Sequence, residues 1–504
     1  MATPAEKLAA SLEVLKELQD RGVTAIRSND ITRTHRERLT NGGFLQEVMK
    51  GWYIPTRPDE TVGESTAWFT SYWDFCAAYL TERFGDDWSL SPEQSLHLYA
   101  GNQTVPTQLL VRATKARNQV TNLLHGTSIF EVRANLPGKN DFFIDNHGLR
   151  LFSLPSALIN SFEDFYVRNP VDARTVLATF SDASSILELL LDGGHSVIAG
   201  RISGAFRNIG RDRIADDILK GMTAVGYNVR EQDPFTEQSP VILSHRELSP
   251  YVIRLKLMWQ NMRDTVITNL PPVPGLPEDK EAYLKQVKDN YTKDAYNSLS
   301  IEGYRVSIEL IERVRSGQWE PEHNEHDRQQ RDAMAARGYW QAYQEVLKSI
   351  EKILDGANPG EVTDYDHATW YLQMFAPSVS AGILKASDLA GYRNQPVFIR
   401  RSQHVPPSAD AVRDLIPAFF ELLANEKHAG VRAVLGHFIF VYIHPYIDGN
   451  GRIGRFLMNT MLASGGYPWT VVPLERRSEY MASLETASTQ QDIGPFSKFI
   501  ASLI

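Results

Sequence analysis

The residues able to do chemistry in this 504-residue chain are concentrated in one run, His444 to Arg455, which reads HPYIDGNGRIGR. The histidine ends an apolar stretch, VRAVLGHFIFVYI, that is too short to span a bilayer and reads as a buried helix. Pro445 cannot continue that helix, so His444 is held where the chain turns. Gly449 and Gly451 let backbone amides approach an anion, and the Asn450 amide adds a donor. A new helix opening near Arg452 aims its unpaired N–H groups and positive dipole end at the same spot. Arg452 and Arg455 share one helix face, while Ile453, Phe456, Leu457, Thr460 and Met461 trace the core-facing stripe, and Gly465-Gly466 ends the helix. Asp448 would be repelled by a phosphate unless a divalent cation lay between them, which makes it a candidate magnesium ligand. The pattern describes a phosphate site with a base beside it. A structural Gly-Asn-Gly turn with incidental charges is the bland alternative, and so many residue types at set spacings argue against it.

This run resembles the signature of the Fic family, His-Pro-Phe-x-Asp/Glu-Gly-Asn-Gly-Arg-x-x-Arg, with Tyr446 standing where phenylalanine is usual. An aromatic still anchors the loop, but its hydroxyl needs a partner. The resemblance implies an adenylyltransferase acting on protein hydroxyls. ATP would lay its phosphates across Gly449, Asn450, Gly451 and Arg452, Asp448 would hold Mg2+, and Arg455 would take the γ-phosphate. His444 would accept the proton of a Ser, Thr or Tyr hydroxyl as it attacks the α-phosphorus, and a near-neutral imidazole pKa suits that task. Gly451-Arg452 keeps the form of AMP-transferring relatives, which ranks phosphotransfer lower.

Three further stretches resemble parts of the same family. Residues 298 to 303, SLSIEG, are similar to the inhibitory motif Ser/Thr-x-x-x-Glu-Gly/Asn. Ser298 and Glu302 share a helix face and Gly303 suits a turn; the resemblance implies that Glu302 pairs with Arg455 and restrains the resting enzyme. Without the core motif, the same pair would read as a solvated face. Residues 390 to 407, AGYRNQPVFIRRSQHVPP, alternate around Arg400-Arg401 like a hairpin with a free edge. They resemble the Fic flap, on which Val397, Phe398, Ile399, Gln403 and His404 would align a target segment as an added strand. RRSEYMASLETAS resembles the C-terminal helix of the family, whose tyrosine, here Tyr480, would line an adenine pocket.

The elements that must position these residues suggest a multidomain, mainly α fold. An all-α Fic domain with a β-hairpin flap would occupy residues 246–504, with its inhibitory helix near 291–303. Helices are expected at 281–300, 303–316, 327–354, 362–376, 408–426 and on both sides of the core run. The proline-rich string NLPPVPGLPEDKE at 269–281 suits a semi-rigid connector, although in Fic relatives a comparable loop packs on the domain. Residues 59–245 alternate helix-like and strand-like patterns and resemble the α/β body of AbiEi-type antitoxins. No paired-carboxylate strand motif there would carry nucleotidyl transfer. Trp68, Trp73 and Trp88 in this region read as core. Residues 1–58 read as three short helices, with Ser28 and Thr32 as cap candidates, and a hairpin formed by FLQEV and WYIPT. That order, and the run RTHRERLTNGGFLQEVMKGWYIP, resemble a winged helix of the AbiEi type, in which Arg33, Arg36 and Arg38 would enter a DNA groove. Nine Lys and Arg against seven Asp and Glu make this stretch locally basic, and a protein-docking module competes closely with DNA binding.

Composition sets outer limits. A formal net charge of −9 makes a polyanion-binding surface over the whole molecule implausible. The lone cysteine, Cys76, cannot form an internal disulfide and reads as a buried apolar residue. The first residues carry acids within their apolar pattern, unlike a secretory signal, and no apolar run spans a bilayer, so a cytoplasmic location is expected. His323 and His326 have ligand-like spacing but lie in a polar segment and read as solvated, while His437 reads as a hydrogen-bonded packing residue. Expected partners are ATP, Mg2+, a target protein and DNA at residues 1–58; no membrane is expected, and a homodimer is left open. Two other functions stay open beside adenylyl transfer: removal of AMP through the same His444 and Glu302, and transcriptional autoregulation with the Fic unit sensing nucleotide.

Overall fold

The computed structural model describes residues 3–58, 65–138, 141–235, 249–317 and 331–504. It divides into two compact units: Met1–Arg254 with Phe398–Val405, and Leu255–Val397 with Pro406–Ile504.

The first unit opens with the helix Pro4–Asp20, closed by a reciprocal cap in which Thr3 Oγ1 accepts from the Glu6 amide and Glu6 Oε2 accepts from the Thr3 amide. Leu15 and Leu18 pack with Ile26, Ile31, Leu39 and Leu45. A three-stranded antiparallel sheet in the order Ile26–Arg27, Trp52–Pro55, Leu45–Met49 completes this part. The FLQEV and WYIPT pairing is therefore present, but the helix expected after Ser28 is not. Asp30 accepts the Arg27 amide at 2.8 Å and bends residues 28–30 into a turn. Thr32 then caps the helix Arg33–Asn41, leaving too little chain for another helix.

The long helix Thr66–Phe84 is buried on most of its sides rather than on one amphipathic face, with Trp68, Tyr72, Phe75, Cys76 and Leu80 fully enclosed. Its partner is a four-stranded sheet in the order Trp88–Leu90, Gln108–Ala113, Ser128–Arg133, Gln119–Asn122, whose central pair is parallel. Trp68, Trp73 and Trp88 are all core residues, and Trp68 Nε1 donates to Thr127 Oγ1 at 3.0 Å. Burial pushes the Cys76 thiol pKa up, as an inert packing residue requires.

In the second unit every described element is helical. The stretch expected as one helix over 281–300 is two, Lys280–Asp289 and Tyr291–Ile301, separated at Asn290, whose Nδ2 donates back to the Gln286 carbonyl. The helix expected from 303 starts only at Ile308, because Gly303 is left-handed at φ +89° and Ser307 caps the new turn. The scaffold is completed by Arg331–Leu354, Pro359–Ser380, Ala409–Asn425, Ala429–Ile443, Asn450–Ala463 and Arg477–Gln490. The proline-rich string is packed rather than free: Gly275 N donates to Gly465 O at 3.0 Å, and Tyr467 Oη donates to Pro271 O at 2.7 Å. His323 and His326 lie outside the described residues. Among the described residues, no helix is long and apolar enough to cross a membrane.

Candidate active site

The helix Ala429–Ile443 is buried on all sides except at Val441, so its last residue emerges at a constrained place. His444 caps it in the left-handed conformation, φ +53°, which a non-glycine residue adopts only at a cost. Its Nδ1 faces the Val441 carbonyl at 3.1 Å. A carbonyl can only accept, so the proton sits on Nδ1 and the lone pair on Nε2. Burial, opposed by the Val441 hydrogen bond and assisted by the charge of Arg393, pushes the His444 pKa down to about 4. The near-neutral value expected from sequence is corrected: the imidazole is neutral throughout the physiological range and suited to act as a base.

After Pro445 the chain makes a tight loop and re-enters a helix at Asn450–Ala463, with Gly449 as its N-cap at φ +82°. A side chain at Gly449 would collide with the Phe375 ring, so glycine is required on two counts. Asn450 does not offer its side-chain amide to an anion as expected. Its Oδ1 accepts from Tyr446 N at 2.9 Å and its Nδ2 donates to Tyr446 O at 2.8 Å, so the amide braces the loop from inside. Its backbone N–H stands at the anion site beside the other first-turn amides.

Arg452 is 1% exposed, its guanidinium lying 5.1 Å from the Tyr304 ring and 5.0 Å from the Phe375 ring. Two aromatic rings lie against it, and Nε and Nη2 have no hydrogen-bond acceptor among the described residues. Nη2 comes within 3.3 Å of Asp448 Oδ2, an ion pair without hydrogen-bond alignment. Nε and Nη2 form the side-on fork of a guanidinium, the edge that matches two oxygens of a phosphate. A buried cation with an empty fork is costly unless something else fills it. Asp448 is 59% exposed at the rim, and its Oδ1 accepts from Gly449 N at 2.6 Å. No group of three or more metal-ligating side chains occurs among the described residues. One open carboxylate beside an anion site still fits magnesium, which usually takes one or two carboxylates together with phosphate oxygens and water.

Arg455, one helical turn on, is 3% exposed and fully engaged on one edge. Its Nε donates to Ser298 Oγ at 2.8 Å, and its Nη2 donates to Ser298 O at 3.0 Å and to Glu302 Oε1 at 2.8 Å. Glu302 is the residue capping the helix Tyr291–Ile301. The turn after it is closed by Gly303 N on Ser300 O and Tyr304 N on Leu299 O, a geometry that needs the positive φ of Gly303. A methyl group built on Gly451 would run into Glu302 Oε1, so the carboxylate lies against the anion turn itself. Ser298, Glu302, Gly451 and Arg455 thus meet at one point. One turn earlier on the same helix, Asp294 is buried under the Tyr339 hydroxyl at 2.6 Å, and burial raises its pKa to about 6.

Residues 379–462 match the Fic/DOC family. The chain carries a Fic domain. Protein adenylyltransferase Fic of Drosophila willistoni is 40% identical over 114 residues, covering 22% of this chain and 22% of that protein. The Drosophila grimshawi protein of the same name is 40% identical over 114 residues, covering 22% of this chain and 23% of its own length. The chain thus spans under a quarter of the curated relatives it matches. Among solved structures, C. elegans Fic-1 aligns with 64% of this chain and 89% of its own at 18% identity and a TM-score of 0.36.

Other residues expected at the Fic site are placed differently. Tyr480 is 1% exposed; its hydroxyl is 2.7 Å from His437 Nε2 and its ring packs on Phe496 and Phe499. It is part of the core behind Arg455 and not the wall of an open pocket, while His437 is the hydrogen-bonded packing residue expected. The turn of the expected flap is present, Ser402 N donating to Ile399 O at 3.1 Å across Arg400-Arg401 with Arg401 left-handed, but residues 390–407 form no strand, and the Gln403 carbonyl accepts from Val105 N at 3.0 Å. Val397, Phe398, Ile399 and Gln403 are half-buried and His404 is buried. At residues 1–58, Arg33 is exposed and paired with Glu37 at 2.7 Å. Arg36 donates to Ser28 O and lies over the Tyr53 ring, so it supports the fold, while Arg38 is half-buried. Sequence reasoning missed Tyr304 and Phe375, whose rings lie against Arg452, and Arg393; the aromatic after Glu302-Gly303 was the one signal available.

Proposed function

We propose that the chain is a protein adenylyltransferase that moves AMP from ATP to a Ser, Thr or Tyr hydroxyl of a target protein and is restrained by Glu302. The reading is supported by the adenylyltransferase names of the relatives, and one observation carries it: a neutral His444 beside an anion turn in which Arg452 Nε and Nη2 have no hydrogen-bond acceptor among the described residues. His444 Nε2 takes the hydroxyl proton as the oxygen attacks the α-phosphorus. The bond to the bridging oxygen breaks and pyrophosphate leaves. The first-turn amides of the helix Asn450–Ala463 and the Arg452 fork receive the phosphate oxygens, and charge growing there is stabilised without reorganisation. Magnesium, held by Asp448 and the phosphates, would neutralise part of their charge. Arg455 takes the γ-phosphate only when Glu302 releases it.

Transfer of label to protein from α-labelled but not γ-labelled ATP, lost in His444→Ala, is the expected result. Label arriving from the γ position instead would replace this reading with phosphotransfer. A second reading has its own support: the Glu302 side chain stays 28% exposed while gripped by Arg455, so it can orient a water toward a bound AMP-protein. Release of AMP from a pre-modified protein without nucleotide would favour that hydrolase reading.

A further inference from the structure

The left-handed turn at His444 is held by its own helix only on one side, the His444 amide donating to Phe440 O at 3.0 Å and Nδ1 to Val441 O at 3.1 Å. Arg393, 1% exposed, donates from Nε to the His444 carbonyl at 2.8 Å and from Nη2 to the Ile443 carbonyl at 3.4 Å. Its backbone N–H donates to the Pro445 carbonyl at 2.9 Å. Three successive carbonyls of the turn are therefore bound by one residue. The remaining donors reach the two ends of the neighbouring loop, Nη1 to Gln395 O at 3.2 Å and Nη2 to Pro407 O. All of these partners are neutral carbonyls, and burial pushes the Arg393 pKa down to about 10, yet a guanidinium remains charged at neutral pH. Placing a cation there is expensive, and replacing its planar set of donors with a smaller group would leave several buried carbonyls unpaired.

We propose that Arg393 is a positioning residue for the transfer reaction: by fastening the carbonyls of Ile443, His444 and Pro445 it sets the direction of the His444 imidazole, and it ties that turn to both ends of the 395–407 loop. The inference rests on the adenylyl-transfer reading above. It separates two jobs within the site, since the phosphates are held by the Gly449–Arg452 turn and by Arg455, none of which Arg393 touches. Arg393 also acts on His444 through charge, opposing the imidazolium, whereas Glu302 and Asp448 favour it.

The test compares Arg393→Lys and Arg393→Met, each in the full chain carrying Glu302→Gly so that ATP has access. Both are expected to lower kcat about 10- to 100-fold while KM for ATP and directly measured ATP binding stay within about twofold. Lysine keeps the charge and should leave the acid limb of the kcat profile in place; methionine removes it and should move that limb to higher pH. An unchanged kcat, or ATP binding that weakens in step with kcat, overturns the proposal. Should the Glu302→Gly parent transfer no label, the functional reading itself has failed. The imidazole titration of His444, followed by NMR with His444→Ala as the assignment control, then decides Arg393 alone: a rise in Arg393→Met but not Arg393→Lys supports it, and no change sinks it.

Discussion

Glu302 Oε1 lies 2.8 Å from Arg455 Nη2 and against Gly451, so one carboxylate fills space that an incoming phosphate and that guanidinium would otherwise share. A hydrogen bond between charged groups contributes about 1.5–3 kcal/mol, which corresponds to about 10- to 100-fold in access. Glu302→Gly is expected to raise the initial rate of AMP incorporation from α-labelled ATP by that factor. Glu302→Gln keeps the reach and loses the charge, so its gain should be smaller. Equal rates for all three proteins would remove the restraint.

Arg455 is held by Ser298 twice and by Glu302 once, and its Nη1 has no acceptor among the described residues. If the same guanidinium serves both inhibition and the γ-phosphate, its loss cannot simply activate. Arg455→Ala in the Glu302→Gly background should raise KM for ATP about tenfold, the value of one charge-assisted contact. In the parent, Arg455→Ala should gain far less activity than Glu302→Gly. A variant as active as Glu302→Gly would show that Arg455 has no part in binding ATP.

Much of this site was legible because its groups are close in sequence: a histidine, two glycines, an acid and two arginines within twelve residues declare their chemistry without any tertiary information. The link between Glu302 and Arg455 spans 153 residues of sequence, and only the family resemblance joined them. Contacts made across the fold stayed hidden. Nothing local marks Arg393 as the clamp of the His444 turn, or Phe375 and Tyr304 as the rings packed on Arg452. The bracing role of the Asn450 side chain was not legible because a side-chain amide in a glycine turn can serve an anion or the loop equally well, and only the position of the Tyr446 backbone shows the brace. The flap was read in part: its turn lies at Arg400-Arg401, but alternation in PVFI and SQHV satisfies a strand pattern without supplying a partner, and the Gln403 carbonyl is taken by Val105. The helices flanking the core run were read well because burial on all sides and terminal glycines are local signals.

The pH behaviour of His444 follows from its lowered pKa of about 4. A base works only when neutral, so the rate should hold level from about pH 8 down to about pH 5 and fall below that, well under the ordinary histidine range near 6.5. The sign for stability is the same. The folded pKa lies below the unfolded one, so the folded state resists protonation and loses stability as pH drops from about 6.5 through about 4. A kcat profile of the Glu302→Gly variant checks the first statement. An acid limb centred near 6.5 would mean that the imidazole is solvated.

Tyr446 replaces the phenylalanine usual in this motif, and its hydroxyl is buried with no partner among the described residues. The ring itself is well used, stacked on Tyr371 with centroids 3.8 Å apart and planes 5° from parallel. The loop is fixed through the Tyr446 backbone, which Asn450 grips from both sides, so the hydroxyl contributes nothing visible to the turn. Tyr446→Phe removes an unsatisfied polar atom, worth about 1 kcal/mol or more, and leaves a space smaller than a methyl group, which returns part of that gain. The expected outcome is a Tm raised by about 2–4 °C, with kcat and KM for ATP unchanged within about twofold. A lower Tm would mean that the hydroxyl has an acceptor after all, such as a bound water. A fall in kcat at unchanged Tm would instead assign it to the reaction.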